Sequence, residues 1–176
     1  EIYMGDWSSD VCSSDLAMSA SNSLLEAAQL VWYEADLLDR KDYREWLQLW
    51  TPQAKYVVPI DRDARDFENT LNYAYDDAEM RAKRVERLLS GYAPSENPAT
   101  RTVRTVSRLR ILSERNDSIE LSSALLLVAY RRQIQRVMAA DVTHTLVRTS
   151  AGWRIEGKVV RLIDADEPLT TIGFIL

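Results

Sequence analysis

His144 is the only histidine in the chain, and imidazole is the side chain best suited to move protons near neutral pH. With a carboxylate such as Asp36 to orient it and a hydroxyl such as Tyr33 to polarise a carbonyl, it would act as the general base of a small-molecule isomerase or dehydratase. No spacing forces these three residues together, so a plain sheet histidine within Val142-Thr143-His144-Thr145-Leu146 is the simpler expectation. Metal chemistry is poorly supplied. Cys12 is the only cysteine, and one thiolate plus one imidazole cannot build a cysteine-held zinc site, an iron–sulfur cluster or a two-histidine iron site. The acids of residues 61–66 (DRDARD) and Asp76-Asp77 lack the glycine and closing glutamate of a calcium loop, which leaves loop charge and helix capping as their roles.

Arg101, Arg104, Arg108 and Arg110 form the densest cationic set, and three of them, Arg104, Arg108 and Arg110, share a strand parity that predicts one common sheet face. Clustered guanidinium groups could neutralise phosphates. A near-neutral chain without interleaved aromatics argues against nucleic acid, and bidentate pairing with a partner's carboxylates is the better use. Tyr73 and Tyr75 flank Ala74 just before a helical pattern, and with Arg101 they are expected at a subunit boundary. Trp32, Tyr33, Trp46 and Trp50 recur at helical spacing, which is a core pattern before it is a pocket lining.

The 176 residues suffice for one domain, and their 46% hydrophobic content can fill a single core. Residues 1–16 differ in texture, with no basic or strongly apolar stretch, and resemble the translation of a sequencing adapter; the domain is therefore expected over residues 17–176. The formal net charge is −5, but residues 1–16 hold four acids, no Lys or Arg, and Cys12, so the remainder is close to neutral. No apolar run reaches the roughly 18 residues that cross a bilayer, and no export signal is evident, so the cytoplasm is the expected location.

Ser23-Leu24-Leu25-Glu26 has capping-box spacing and predicts a helix to about Arg40, with Leu24, Ala28, Val31, Ala35 and Leu38 along one apolar stripe. Asp42 can cap a second helix carrying Tyr43, Trp46, Leu47 and Trp50, ended by Thr51-Pro52. Residues 54–60 read as a strand whose Pro59 marks an edge or an end, and residues 61–72 give no clear pattern. Asp76-Asp77 precede a third helix with Met80, Arg84, Val85, Leu88 and Leu89 on one side, closed by Gly91; residues 92–100 form a proline-bearing loop. Residues 101–113, 119–135, 142–149 and 153–164 then read as long strands of an antiparallel meander. Ala124 to Tyr130 is apolar at every position, as in a strand covered on both faces, although a helix fits the same run. Three helices followed by a strongly curved, mainly antiparallel sheet predict an α+β cone of the NTF2-like kind.

Specific residues now carry a resemblance. Glu34-Ala35-Asp36-Leu37-Leu38-Asp39, Tyr43, Glu45-Trp46-Leu47, Tyr56 and Val58-Pro59, then Tyr75-Asp76-Asp77, Met80-Arg81, Arg84, Arg87-Leu88, Gly91-Tyr92-Ala93, Glu96-Asn97-Pro98, Arg101-Thr102, Arg104 and Val106-Ser107, resemble the beta subunits of bacterial aromatic-ring-hydroxylating dioxygenases. Gly152-Trp153-Arg154-Ile155, Lys158-Val159-Val160, Leu162 and Phe174 continue the likeness. Arg108 departs from it where asparagine is usual, as does Ala139-Ala140-Asp141. The resemblance implies an NTF2-like, SnoaL-like subunit without a cofactor of its own. Its partner would be a large alpha subunit that holds a Rieske [2Fe-2S] cluster and a mononuclear iron, in a heterohexamer of three plus three. Electrons derived from NAD(P)H would support O2 addition to an arene in aromatic hydrocarbon catabolism. A stand-alone isomerase or dehydratase of the same fold, with its cavity at His144, and a free-standing homo-oligomeric binding module are the competing classes.

Overall fold

In the computed structural model, the described residues are 10–90, 100–167 and 173–176, with side chains from residue 22 onward. Helix α1 (Asp10–Arg40) leads into the short α2 (Tyr43–Gln48), strands β1 (Trp50–Pro59) and β2 (Asn72–Asp76), and helix α3 (Ala78–Leu89). Strands β3 (Arg101–Arg115), β4 (Ser118–Arg131), β5 (Ile134–Thr149) and β6 (Gly152–Leu162) complete one six-stranded sheet in the order β2-β1-β6-β5-β4-β3. Among the described residues, no helix is long and apolar enough to cross a membrane.

The meander of β3 to β6 is antiparallel throughout, as its alternating sequence predicts. Strand β1 lies parallel to β6 and antiparallel to β2, so it is internal, and Pro59 sits at its end, where the register slips. One helix wraps the inner face. Trp32 of α1 donates its indole N–H to the Val106 carbonyl of β3 at 3.3 Å, while Glu26 of the same helix accepts from the Trp153 indole of β6 at 2.9 Å. Two intervening strands separate β3 from β6, so a single helix can touch both only because the sheet curls around it.

Several boundaries differ from the sequence expectation. Helix α1 already runs from Asp10, so Ser23 lies inside it and not at a helix N-terminus, and Asn22 donates to Glu26 one turn on. Trp50 opens β1 rather than closing α2, and packs edge-on with Trp46 and Tyr56 at centroid distances of 5.2 and 6.1 Å. In α3 the buried residues are Arg81 and Val85, while Met80 and Leu89 are exposed. The Gly91 stop and residues 92–99 lie outside the described residues. The strand break expected after residue 135 falls at Arg132-Gln133, whose φ values of +49° and +66° make a two-residue turn of the primed type that suits twisted hairpins.

Strand β4 settles the ambiguity of the apolar run at 124–130. Ile119, Leu121, Leu125, Leu127 and Ala129 face the core, and Leu126 and Tyr130 face outward. Cross-strand registry sets Val103, Val128 and Val137 in one outer row and Thr105, Leu126 and Ala139 in the next. Val103, Leu126 and Val137 are substantially exposed, so the outer face carries a contiguous apolar patch.

Candidate functional site

The groups with most chemical potential converge where α1 crosses the sheet. On α1, Ala27, Val31, Glu34 and Leu38 follow one another at four- and three-residue steps, which places Glu34 in the middle of the buried stripe. His144 alternates with Val142 and Leu146 on β5, and Lys158 with Val160 and Leu162 on β6, so both strands aim a polar group inward at the same level. The Glu34 carboxylate accepts from the Trp46 indole at 3.0 Å and from Lys158 Nζ at 3.0 Å through Oε1, and meets His144 Nε2 at 3.0 Å through Oε2. All four side chains are buried.

Burial pushes the Glu34 carboxyl up, but the Lys158 ammonium and the bonds from His144 and Trp46 outweigh it and hold the group far below the usual carboxylate range. Burial likewise depresses Lys158 and His144, opposed in each by Glu34. One carboxylate cannot compensate two cations, and the stronger base keeps the charge: Glu34 and Lys158 form the ion pair and His144 stays neutral. Its Nε2 then carries the proton toward Glu34, leaving Nδ1 as an acceptor. Nδ1 and the Ser123 hydroxyl are both buried without a hydrogen-bond partner among the described residues.

Both atoms' residues line a cavity of about 10 Å³ bounded also by Val31, Arg104, Leu125 and Leu176. That volume matches one water molecule, whereas pockets for organic ligands span roughly 300–1,000 Å³. The arrangement is therefore a filled polar core. It can fix the helix on the sheet, but has no room to turn over a substrate. Nor does it fit iron: His144 is the only histidine, its Nε2 is engaged by Glu34, and an ammonium lies beside it.

The pH dependence follows from the neutral imidazole. Unfolded, His144 protonates near its ordinary value of about 6.5, while burial depresses it in the folded chain. The unfolded state then binds the extra proton as pH falls, so stability declines below about pH 6.5 by up to roughly 1.4 kcal/mol per unit. His144→Gln is expected to flatten this slope between pH 6.5 and 5 in urea unfolding; an unchanged slope would assign it to other groups.

The pocket candidates paired with His144 by sequence do not reach it. Tyr33 is on the surface, bonded to Glu45, and Asp36 pairs with Arg40 at 3.2 Å with both side chains exposed. Glu34 takes the place expected for Asp36. The shared-face expectation for Arg104, Arg108 and Arg110 also fails. A β-bulge at Arg108, with φ +53°, shifts the register between Ser107 and Arg110, so Arg104 points inward while Arg108 and Arg110 point outward. Asparagine tolerates that left-handed backbone better than arginine does, which gives the departure at Arg108 a physical cost. Arg104 is bound within the chain by Asp39, Thr102 and the Ile175 carbonyl.

The remaining surface candidates sit on the two edges of the sheet. On β2, the Tyr73 hydroxyl donates to the Ala165 carbonyl at 2.9 Å, and the Tyr75 ring lies under Lys55 Nζ at 4.9 Å. On β3, Arg101 stacks over Tyr130 at 4.9 Å, and Arg108 pairs with Asp141 at 2.7 Å. Asp76 and Asp77 prove structural. Asp77 caps α3 by accepting from the Met80 N–H at 2.9 Å, and Asp76 binds Arg84 through both carboxylate oxygens. Buried Arg81 completes the anchor, donating to the Asp76 and Thr51 carbonyls at 3.2 and 3.3 Å and lying 4.6 Å from the Trp50 ring.

Comparison with known proteins shows the family. Residues 33–166 match the family model described as "Ring hydroxylating beta subunit". The chain is 33% identical over 153 residues to the beta subunit of benzene 1,2-dioxygenase from Pseudomonas putida, covering 79% of this chain and 80% of that one. Among solved structures it resembles the beta subunit of benzoate 1,2-dioxygenase from Burkholderia mallei, with TM-score 0.71, 19% identity, and 85% of this chain and 95% of that one covered. It also resembles an NTF2-like protein with a cystatin-like fold from Novosphingobium aromaticivorans, with TM-score 0.58, 14% identity, and 92% and 93% covered. An α+β fold with helices on one curved sheet, and a family match spanning most of the domain, place the chain in the ring-hydroxylating beta-subunit family.

Proposed function

We propose that the chain is the structural, non-catalytic beta subunit of a multicomponent aromatic-ring-hydroxylating dioxygenase. The observation that carries the reading is the family match over residues 33–166. A cavity the size of one water favours it over a stand-alone isomerase or dehydratase. In this reading the alpha partner holds the Rieske cluster and the mononuclear iron, and this chain supplies no ligand to either. The complex is a cytoplasmic heterohexamer of three alpha and three beta subunits. Residues 1–16 are dispensable for it.

Tyr73 and Tyr75 lie on one edge strand, and Arg101 and Arg108 on the other. A cyclic trimer is built from heterologous contacts, in which one surface of a subunit meets a different surface of the next, so candidates on opposite edges suit a ring. Arg104, enclosed by its own chain, is not proposed as a contact. Reconstitution tests the function. Adding this chain to its isolated alpha subunit, with reductase and arene, is expected to restore arene-dependent O2 uptake at least tenfold. Full uptake by the alpha subunit alone would contradict the role.

A further inference from the structure

The loop that follows β1 and the outer face of β6 border a cleft of about 540 Å³, lined by Arg62, Asp63, Ala64, Arg65 and Arg161. That volume lies within the roughly 300–1,000 Å³ of pockets for organic ligands. Three of the five lining residues are arginines, against one carboxylate. Arg161 alternates with buried Val160 and Leu162, so it projects from the outer face of the sheet. Its Nε donates to the Arg62 carbonyl at 3.0 Å, and its guanidinium lies 5.4 Å from the Phe67 ring centre. These contacts fix the guanidinium plane and leave both terminal nitrogens without an acceptor among the described residues.

Strand registry sets Asp141 of β5 opposite Arg161, yet both Asp141 oxygens are taken elsewhere, Oδ2 by Arg62 at 3.1 Å and Oδ1 by Arg108 at 2.7 Å. Asp61 and Asp66 accept from backbone N–H groups of their own loop, at Asp63 and Asn69. Neither Arg161 nor Arg65 has an ion-pair partner among the described residues. Burial and the neighbouring Arg62 guanidinium hold Arg161 below its ordinary value, with Asp141 and Asp63 opposing. A half-buried cation beside a second cation, its fork unused, is completed by an oxyanion from outside. Two unused forks in a cleft larger than one phosphate would fill suit two carboxylates joined by a carbon chain. We propose that the cleft is a dicarboxylate site, in which the guanidinium groups of Arg65 and Arg161 hold the two acid groups. The carboxylates come from a free diacid or from acidic side chains of a partner, and Asp63 limits the affinity by repulsion.

The test titrates succinate into the full-length chain at fixed ionic strength, read by calorimetry and by the Arg161 Nε–H signal in 1H–15N spectra, with acetate as the monoanion control. Saturable succinate binding with a Kd of about 1 mM or tighter is expected, and acetate should bind at least about tenfold more weakly. Arg65→Gln breaks no hydrogen bond or ion pair among the described residues and is expected to weaken succinate about tenfold. Asp63→Asn removes the only carboxylate of the lining and is expected to tighten it. No saturation, an equal response to acetate, or indifference to Arg65→Gln overturns the site and assigns any change to ionic screening. The same titration on the complex with the alpha subunit separates the two sources. Succinate that still binds there marks a free diacid as the ligand; exclusion, with assembly weakened by Arg65→Gln, marks the partner's acidic side chains. Exclusion with assembly intact leaves the site no ligand and overturns the proposal. This last arm rests on the dioxygenase reading, whereas the titration of the free chain does not, so the two failures are distinguishable.

Discussion

Glu34→Gln is expected to destabilise the fold by about 3–5 kcal/mol, the cost of leaving a buried charge without its partner. Glutamine keeps the size of the side chain and can still accept from the Trp46 indole. What it removes is the negative charge opposite Lys158, whose ammonium keeps hydrogen-bond acceptors at residue 34 and at the Leu176 main-chain oxygen but loses its buried counter-ion. The companion change isolates the cause. Lys158→Met removes the cation, so the pair Glu34→Gln with Lys158→Met is expected to be markedly less destabilising than the sum of the single changes. Urea unfolding of the four proteins reads the coupling directly. A Glu34→Gln effect below about 1 kcal/mol would mean that the cluster is solvated and does not pin α1 to the sheet.

The outer face has the opposite signature. Leu126→Asp with Val137→Asp places two carboxylates on an exposed surface, at a stability cost of about 1 kcal/mol or less per site from strand propensity. In an assembly that covers this face, the same carboxylates are buried without partners, and binding is expected to fall more than about 100-fold. Size-exclusion chromatography should show a folded variant that no longer enters the complex. Assembly at normal affinity would remove the rows of Val103, Val128, Val137 and Leu126 from the contact surface.

The meander from β3 to β6 was legible because long runs of alternating residues have one satisfactory fold, and the capped amphipathic stretch of α3 was legible for similar reasons. Local exceptions were not. Strand β2 is five residues long and follows a polar loop, so it has too few alternations to register. The turn at Arg132-Gln133 uses residues that favour neither left-handed backbone nor turns, and tertiary pairing imposes it. The bulge at Arg108 reverses the parity on which the arginine stripe depended.

The central cluster was missed for a different reason. On sequence alone His144 reads as a plain sheet histidine, and Glu34 and Lys158 enter only among the residues of the family likeness. The available signal was phase: each falls on the same face as its apolar neighbours, at 31 and 38 on the helix, 142 and 146 on β5, and 160 and 162 on β6. A charge in phase with the core needs a partner in phase with another core, and three such residues on three elements define a junction. Asp36, the carboxylate chosen on chemical grounds, is out of phase and remains at the surface.

The most direct measurement of the central claim is co-purification of the chain from Met18 onward with the alpha subunit of its own system, with mass from light scattering and iron from metal analysis of each separated subunit. The account predicts a single species with the mass of three alpha and three beta subunits, and all iron in the alpha subunit. A chain that stays apart from the alpha subunit, or that carries iron when isolated, would contradict it.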